Sequence, residues 1–230
     1  MPVPGLQIAK RSLNFYYLLD VSGSMTMNGR IQALNQSVRQ SIPKMREAAE
    51  TNPNAELSVH ALTFSSKADW HIYPGVPVND FEWEDVAAYG PTSMGRALEM
   101  ICNELENNMP SRSLPPVLVL VSDGHPTDNF DQALSRLRQI PWGMKSVRIA
   151  IGMGPTAEID WGTMERFMFD MDIKPLHAEN SAQLADFIRW ASTVAVSTAS
   201  TGASGGDSAP VHINAPVLEA KTVIDPGDIF

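Results

Sequence analysis

The hydrophobic positions of the chain follow two alternating patterns, one typical of buried strands and one typical of helices. Segments such as LNFYYLLD (residues 13–20) and PPVLVLV (residues 115–121) are apolar at almost every position, which is typical of strands buried on both faces. Between such segments, apolar residues recur every three or four positions, as they do on the buried side of a helix. This alternation predicts an α/β fold: a Rossmann-like, doubly wound, mostly parallel sheet with helices on both faces.

Individual elements can be assigned from these patterns. Pro43 lies inside the first helical pattern, where a proline typically costs about 3 kcal/mol, so we expect a kink or a restart there. The second and third strands are expected to pair as an antiparallel hairpin at one edge of the sheet. The predicted strands are residues 13–20, 56–64, 68–74, 115–124, 146–154 and 174–178, and the predicted helices are residues 31–49, 94–105, 130–137, 161–169 and 182–194.

The composition changes near the C-terminal end of the last predicted helix. Residues 198–210 are rich in Ser, Thr, Gly and Ala, which predicts a flexible linker. Residues 211–230 are too few to fold alone. They are expected to be either a disordered tail or a peptide that docks onto a partner as an added strand. The predicted folded domain is therefore residues 13–197, preceded by an N-terminal extension at residues 1–12.

Composition and charge narrow the class of protein. The chain has 230 residues and a formal net charge of −9, which argues against general binding of nucleic acid or anionic membranes. No stretch approaches the roughly 20 apolar residues that span a bilayer, and the N-terminus lacks the pattern of a secretory signal. Cys102 is the single cysteine, so an intramolecular disulfide is excluded. These features favour a soluble cytoplasmic protein.

Oxygen-bearing side chains follow two of the predicted strands. Asp20, Ser22 and Ser24 come directly after the first strand, Asp123 ends the strand at 115–124, and Thr92 precedes a helix. In a parallel sheet, ligands bind at the carboxyl ends of the strands, so both aspartates are expected at that edge. Carboxylate and hydroxyl oxygens suit hard cations, so we expect Mg²⁺, with Mn²⁺ or Ca²⁺ as alternatives. The D-x-S-x-S pattern alone is only moderately specific, since either serine could instead cap the next helix.

Three motifs together are more specific. DVSGSM, PTSMG and VSDG resemble the three parts of the metal-ion-dependent adhesion site (MIDAS) of von Willebrand factor A (VWA) domains, and the resemblance covers residues 13–194. It implies that hydroxyls bind the ion directly, that the aspartates act directly or through water, and that an open coordination position takes a carboxylate from a protein partner. The metal-site residues that it implies are Asp20, Ser22, Ser24, Thr92 and Asp123.

A narrower resemblance concerns three longer segments. Residues 52–72, 115–134 and 188–197 resemble the stand-alone bacterial tellurite-resistance proteins of the TerY type. This resemblance implies a cytoplasmic scaffold or regulator associated with a PP2C-like phosphatase and a Ser/Thr kinase in a stress-response system. The chain departs from that pattern at His125, where such proteins often carry an acidic residue or glutamine, and this leaves the charge near the metal open.

The sequence favours an interaction module over an enzyme. It contains no P-loop, no dinucleotide-binding glycine pattern and no G-x-S-x-G motif. Phosphatases of the haloacid dehalogenase type also place aspartates at strand ends, but they need a second carboxylate two residues after the first, where this chain has Ser22. Two alternatives stay open: a metal-dependent phosphotransfer enzyme that uses the strand-end aspartates, and a secreted adhesin-type VWA module.

Several other residues have simpler interpretations. We expect His125 to be a surface or hydrogen-bonded side chain, Asp128 to cap the helix that begins near Phe130, and Cys102 to be buried. The remaining histidines form no ligand-spaced pair and are assigned no site. An aromatic cluster before the Thr92 loop either packs in the core or faces a partner; its members are Trp70, Phe81, Trp83 and Tyr89.

Overall fold

The computed structural model describes residues 10–51, 55–110 and 112–201, and for residues 194–201 only the backbone is described. Most of the predicted N-terminal extension, residues 202–210 of the predicted linker and the whole predicted tail lie outside this part of the chain.

All six predicted strands and all five predicted helices are present, and the described residues add one short α-helix, α4, whose five residues are too few for a periodic pattern, and short 3₁₀ helices in the loops. The strands are β1 (Arg11–Asp20), β2 (Ala55–Phe64), β3 (Ala68–Pro77), β4 (Val117–Ser122), β5 (Val147–Met153) and β6 (Leu176–Ala178). The helices are α1 (Arg30–Glu50), α2 (Met94–Asn107), α3 (Phe130–Leu137), α4 (Pro141–Lys145), α5 (Trp161–Phe167) and α6 (Ser181–Thr201).

The strands form one sheet in the order β3-β2-β1-β4-β5-β6, in which only β3 runs antiparallel to its neighbour. The predicted mostly parallel sheet with an antiparallel edge hairpin is therefore confirmed. From β1 the chain first builds outward to β2 and β3 and then returns to place β4 on the other side of β1. This reversal makes the gap between the carboxyl ends of β1 and β4 the switch point at which such sheets bind ligands.

Helices cover both faces of the sheet, as β1 shows. Successive strand residues point to opposite faces. The Tyr17 hydroxyl lies 3.1 Å from Ser41 Oγ on α1, whereas the Tyr16 hydroxyl donates to the sulfur of Met109, just beyond α2. Helices α1 and α2 therefore lie on opposite sides of the sheet. Residues 13–19 are all buried between these two layers, which explains their nearly continuous apolar character.

Two helices, α1 and α6, differ from the prediction. Helix α1 runs unbroken through Pro43, because buried neighbours such as Ile42 and Met45 anchor both sides of the proline in the core. Helix α6 extends to Thr201, so residues 198–201 of the predicted linker are helical. The first glycine or proline in this region is Gly202, and without such a residue the sequence carries no strong stop signal. Over the described residues, no helix has the length and apolar character needed to cross a membrane.

Candidate metal centre

The two strand-end aspartates lie side by side at the switch point. Leu19 of β1 is opposite Val121 of β4, so Asp20 ends its strand beside Ser122 and close to Asp123. The Ser122 hydroxyl donates to Asp20 Oδ2 at 2.5 Å. Burial raises the pKa of Asp20 to about 6, and the negative charge of Asp123 adds to this rise, while hydrogen bonds from Ser122 and Ser22 oppose it. The fold thus concentrates two carboxylates with little solvent around them.

The loop after β1 brings the first three predicted ligands together. The backbone N–H of Ser22 donates to Asp20 Oδ1 at 2.8 Å, and the hydroxyl oxygens of Ser22 and Ser24 are 3.0 Å apart. Ser22 is buried, whereas Ser24 is half-buried. The chain turns here into a 3₁₀ helix at Gly23–Gly29, so both hydroxyls stay on the same side of the loop as the carboxylate.

Thr92 is attached to this loop through its neighbours' backbone. The N–H of Gly23 donates to the carbonyl of Gly90 at 2.7 Å, and the N–H of Tyr89 donates to the carbonyl of Val21 at 2.8 Å. A side chain at Gly23 would bring its Cβ to 3.3 Å from the Gly90 carbonyl oxygen, which limits how large residue 23 can be. The loop that carries Thr92 is thus fixed against the loop that carries the two serines.

Thr92 is also joined to the loop after β4. Its N–H donates to Thr127 Oγ1 at 3.1 Å, and its carbonyl accepts from the N–H of Thr127 at 2.8 Å. Thr92 itself is buried. The five predicted ligands therefore come from three loops that are hydrogen-bonded to one another. Among the described contacts, hydrogen bonds connect Asp20 to Ser22 and Ser22 to Ser24. Asp123 directly follows Ser122, whose hydroxyl donates to Asp20. The Thr92 loop is connected to the loop after β1 through backbone hydrogen bonds of Gly90 and Tyr89.

Asp128 caps a helix, but the helix that was predicted for it is wrong. Its carboxylate accepts from the N–H groups of Gly95 at 2.7 Å and Arg96 at 2.8 Å, so it caps α2, not α3. Free N–H groups at a helix N-terminus attract a carboxylate from any segment that reaches them, whatever the sequence separation. Because Thr92 stands two residues before α2, this contact also fixes the Thr92 loop.

The donor set fits a hard divalent cation. In the described part of the chain, no group of three or more His, Cys, Asp or Glu side chains is placed to hold a metal, so any ion here depends on hydroxyl oxygens as well as the two aspartates. An all-oxygen set of this kind suits Mg²⁺, Mn²⁺ or Ca²⁺.

Two charged residues that the sequence did not point to complete the surroundings. The buried guanidinium of Arg30 has Nη1 at 3.9 Å from Asp123 Oδ2, and its Nη2 binds the carboxylate of Glu158. Glu158 lies in the loop after β5. The rule that ligands gather at strand ends indicates that loop, but nothing in the sequence pairs Glu158 with Arg30.

His125 and Tyr89 are exposed near the candidate site, whereas the rest of the aromatic cluster packs against the core. His125 is exposed, and its Nε2 donates to the carbonyl of Glu158 at 2.7 Å, which agrees with a hydrogen-bonded surface residue. Phe81 and Trp83 are buried and Trp70 packs partly against the core, but Tyr89 is 50% exposed beside the candidate site. Packing therefore accounts for most of the cluster and leaves Tyr89 facing solvent.

The comparisons with known proteins concern the fold alone. Neither models of protein families nor curated protein sequences match the chain. Solved structures do, at low identity. A von Willebrand factor type A protein from Catenulispora acidiphila is 14% identical with a TM-score of 0.60, over 81% of this chain and 43% of that one.

Two further similar structures have different biological settings. The pilus adhesin SpaC from Lactobacillus rhamnosus GG in its open conformation is 12% identical with a TM-score of 0.63, over 81% of this chain and 30% of that one. Mussel proximal thread matrix protein 1 with a zinc-occupied MIDAS motif is 13% identical with a TM-score of 0.55, over 83% of this chain and 47% of that one. This chain therefore spans less than half of each of these three structures, and it has the fold of a VWA domain.

Proposed function

We propose that this chain is a divalent-metal-dependent protein-interaction module. The observation that carries the proposal is the convergence of Asp20, Ser22, Ser24 and Asp123 at the switch point of the sheet, with the Thr92 loop hydrogen-bonded to both neighbouring loops. Hydroxyls of Ser22, Ser24 and Thr92 would hold the ion, with the two aspartates in direct or water-mediated contact. Mg²⁺ is the proposed ion, and the zinc-occupied MIDAS motif of the mussel protein supports a divalent cation at such a site.

The chemistry of the site favours an acidic partner. An ion held largely by the neutral hydroxyls of Ser22, Ser24 and Thr92 would keep most of its positive charge and would attract a carboxylate from another protein. Two exposed apolar side chains flank the site: Met27 in the turn after Ser24, at 52% exposure, and Tyr89, at 50%. Exposed large side chains of this kind are typical anchors of protein interfaces. A segment with an acidic residue next to apolar residues is the partner chemistry that this surface fits.

We further propose that the module works in the cytoplasm as a scaffold or regulator of a Ser/Thr kinase and a PP2C-type phosphatase in a stress response. Support for this setting is the resemblance of residues 52–72, 115–134 and 188–197 to tellurite-resistance proteins of the TerY type. A second setting, an extracellular adhesin, is favoured by the similarity of the fold to pilus adhesin SpaC and to the PilB minor pilin from Streptococcus sanguinis. Fractionation of the source cells separates the two settings: the chain is expected with the cytosol, and recovery from the cell surface would favour the adhesin.

The same site argues against phosphotransfer chemistry. The position two residues after Asp20 holds Ser22, whose hydroxyl lies against Ser24 and supplies no second carboxylate. We therefore expect no turnover of p-nitrophenyl phosphate or ATP by the purified chain in the presence of Mg²⁺. Turnover that disappears in Asp20→Ala would contradict this expectation and favour the enzyme.

Metal binding is the first test. Mg²⁺, Mn²⁺ and Ca²⁺ are titrated into the purified full chain by calorimetry, and Ser22→Ala and Ser24→Ala are each expected to weaken binding by about tenfold or more, because each removes a ligand. Ser135→Ala is the matched control, since Ser135 is an exposed serine on α3 whose hydroxyl donates to the Asp131 carbonyl of its own helix. Unchanged affinity in both serine variants would overturn the site.

Partner binding is the second test. The tagged chain is used to capture proteins from native lysate with and without EDTA, and the captured proteins are identified by mass spectrometry. Capture is expected to require the metal and to fail in Asp123→Ala. Equal capture in the presence of EDTA would show that recognition uses another surface.

A further inference from the structure

A buried arginine lies between two carboxylates beside the candidate metal centre. Arg30 is the first residue of α1 and is only 1% exposed. Its Nη1 lies 3.9 Å from Asp123 Oδ2, and its Nη2 binds Glu158, whose side chain is 47% exposed. Burying a cation costs desolvation free energy unless the cation is paired, so Asp123 and Glu158 together compensate the buried charge of Arg30.

The fold makes room for this guanidinium. Gly154, just past the end of β5, has a φ of +115°, and a Cβ there would lie 2.7 Å from both Cζ and Nη2 of Arg30. Any larger residue at 154 would therefore displace the guanidinium. Arg30 Nε has no hydrogen-bond partner among the described polar groups, so the binding of this side chain depends on its two terminal nitrogens. The position of the guanidinium beside the candidate site therefore depends on a glycine at position 154.

We propose that Arg30 is a positioning residue that restrains Asp123 by ion pairing and sets the affinity of the site for its cation. This inference rests on the proposed function. A carboxylate that shares its charge with a guanidinium is a weaker donor to a metal, and a fixed positive charge nearby repels the cation directly. The same charge attracts an incoming carboxylate. Arg30 thus weakens the hold of the protein on the ion and strengthens the attraction of the site for an acidic partner.

Glu158 provides an opposing effect. Its carboxylate partly compensates the positive charge of Arg30 and so weakens the interaction of Arg30 with Asp123. Neutralising Glu158 should leave Arg30 paired with Asp123 alone and should therefore weaken cation binding. Neutralising Arg30 should release both carboxylates and strengthen it. Two substitutions in one ion-pair network are thus expected to change the metal affinity in opposite directions.

The test measures Mn²⁺ binding to the full chain by electron paramagnetic resonance of the free ion at fixed pH and ionic strength. Arg30→Gln is expected to tighten binding by about tenfold, and Glu158→Gln to weaken it by about threefold or more. Arg39→Gln is the matched control. It makes the same change in net charge on the same helix, but Arg39 is exposed and pairs with Asp85. Its affinity should equal that of the wild type.

The outcomes separate this inference from the proposed function. If the wild type binds no Mn²⁺, the proposed function fails. If the wild type binds and Arg30→Gln binds equally or more weakly, Arg30 is only structural and the inference is overturned. Should Arg30→Gln fail to fold, Glu158→Gln decides: a Glu158→Gln variant that binds Mn²⁺ as well as the wild type overturns the inference.

Discussion

The protein buries two arginines at opposite ends of its sheet, and their partners differ in kind. Arg30 lies at the carboxyl ends of the strands with 1% of its surface exposed, and Arg148 lies at the amino end of β5 with none exposed. Burial alone therefore does not distinguish them.

The partners of Arg148 are neutral. Its guanidinium donates to the carbonyls of Gly143 at 2.7 Å, Ser146 at 2.8 Å and Phe169 at 2.6 Å, and it lies 3.7 Å from the centre of the Phe169 ring. Burial lowers the pKa of Arg148 to about 10, which still leaves it charged at neutral pH. These contacts tie α4 and the segment after α5 to the sheet.

The same residue type therefore serves two purposes in this fold. Backbone carbonyls cannot leave their positions, so Arg148 makes a permanent connection between elements. The carboxylates beside Arg30 are side chains of the loops that follow β4 and β5, and one of them is a candidate metal ligand. An arginine paired with such groups can shift charge between them when a cation binds. Removing Arg148 should therefore affect mainly stability, and removing Arg30 mainly metal affinity.

The largest effect is expected for Arg148→Met. This change removes the Arg148 donor from three buried carbonyls, of which Gly143 still accepts from the Ser146 hydroxyl at 2.7 Å, and it should lower the free energy of unfolding by about 3 to 5 kcal/mol. Urea denaturation gives the stability, and Mn²⁺ titration of the folded fraction should give the wild-type affinity. Arg138→Met is the control, because Arg138 is exposed and contacts the same Phe169 ring at 4.6 Å, which should be worth less than about 1 kcal/mol. Similar losses in both variants would contradict the role of the carbonyls.

A third buried basic side chain, His60, differs from both arginines because it is neutral at pH 7. It stacks on Tyr16 at 4.3 Å, and burial lowers its pKa from 6.5 to about 4. Between pH 6.5 and 4, His60 is mostly protonated in the unfolded chain but mostly neutral in the folded chain. The stability contributed by neutral His60 is complete above pH 6.5 and is lost as the pH falls towards 4, by up to about 3 kcal/mol.

Urea unfolding at pH 7, 6, 5 and 4 measures this loss. His60→Leu should flatten the profile relative to the wild type, and His71→Leu, at a partly exposed position of the hairpin, should leave it unchanged. A wild-type profile that the His60 substitution does not alter would assign the acid sensitivity to other groups.

Asp128→Ala tests how the fold holds the Thr92 loop. Loss of the two N–H contacts at the start of α2 should cost about 1 to 2 kcal/mol of stability. It should also weaken Mn²⁺ binding by about threefold, because Thr92 loses its anchor. Asp131→Ala removes a carboxylate from the exposed face of α3 and is the control for charge. If both variants bind Mn²⁺ like the wild type, the Thr92 loop is held without Asp128.

The smallest change in stability is expected for Asp123→Ala without metal. The substitution removes the repulsion between Asp123 and Asp20 and also the contact with Arg30, so the two effects oppose each other and the net change should be less than about 1 kcal/mol. Thermal unfolding in EDTA measures it, and addition of Mn²⁺ should raise the melting temperature of the wild type only. A large loss of stability in EDTA would mean that Asp123 supports the fold as well as the site.

The secondary-structure elements and the fold class could be predicted from the sequence alone. Hydrophobic periodicity is a local property, and strands apolar on both faces can be buried only in a sheet covered by helices, so residues 13–20 and 115–121 already implied the architecture. Parallel strands bring their carboxyl ends to one edge, and this general rule placed Asp20, Ser22, Ser24 and Asp123 together. Thr92 was a candidate from its place just before a helix, and the MIDAS resemblance of its motif supported it.

Contacts between groups that are distant in sequence could not be predicted and are known from the folded structure. Asp128 looked like a cap for the helix next to it, yet its carboxylate reaches the N–H groups of Gly95, 33 residues away. Arg30 and Glu158 are 128 residues apart, and no periodic pattern marks either as a partner of the other. Periodicity predicts which face of an element is buried, because that depends on neighbours in sequence. The pairing of individual charges depends on how loops from separate strands pack together, and that is fixed only when the whole sheet is assembled.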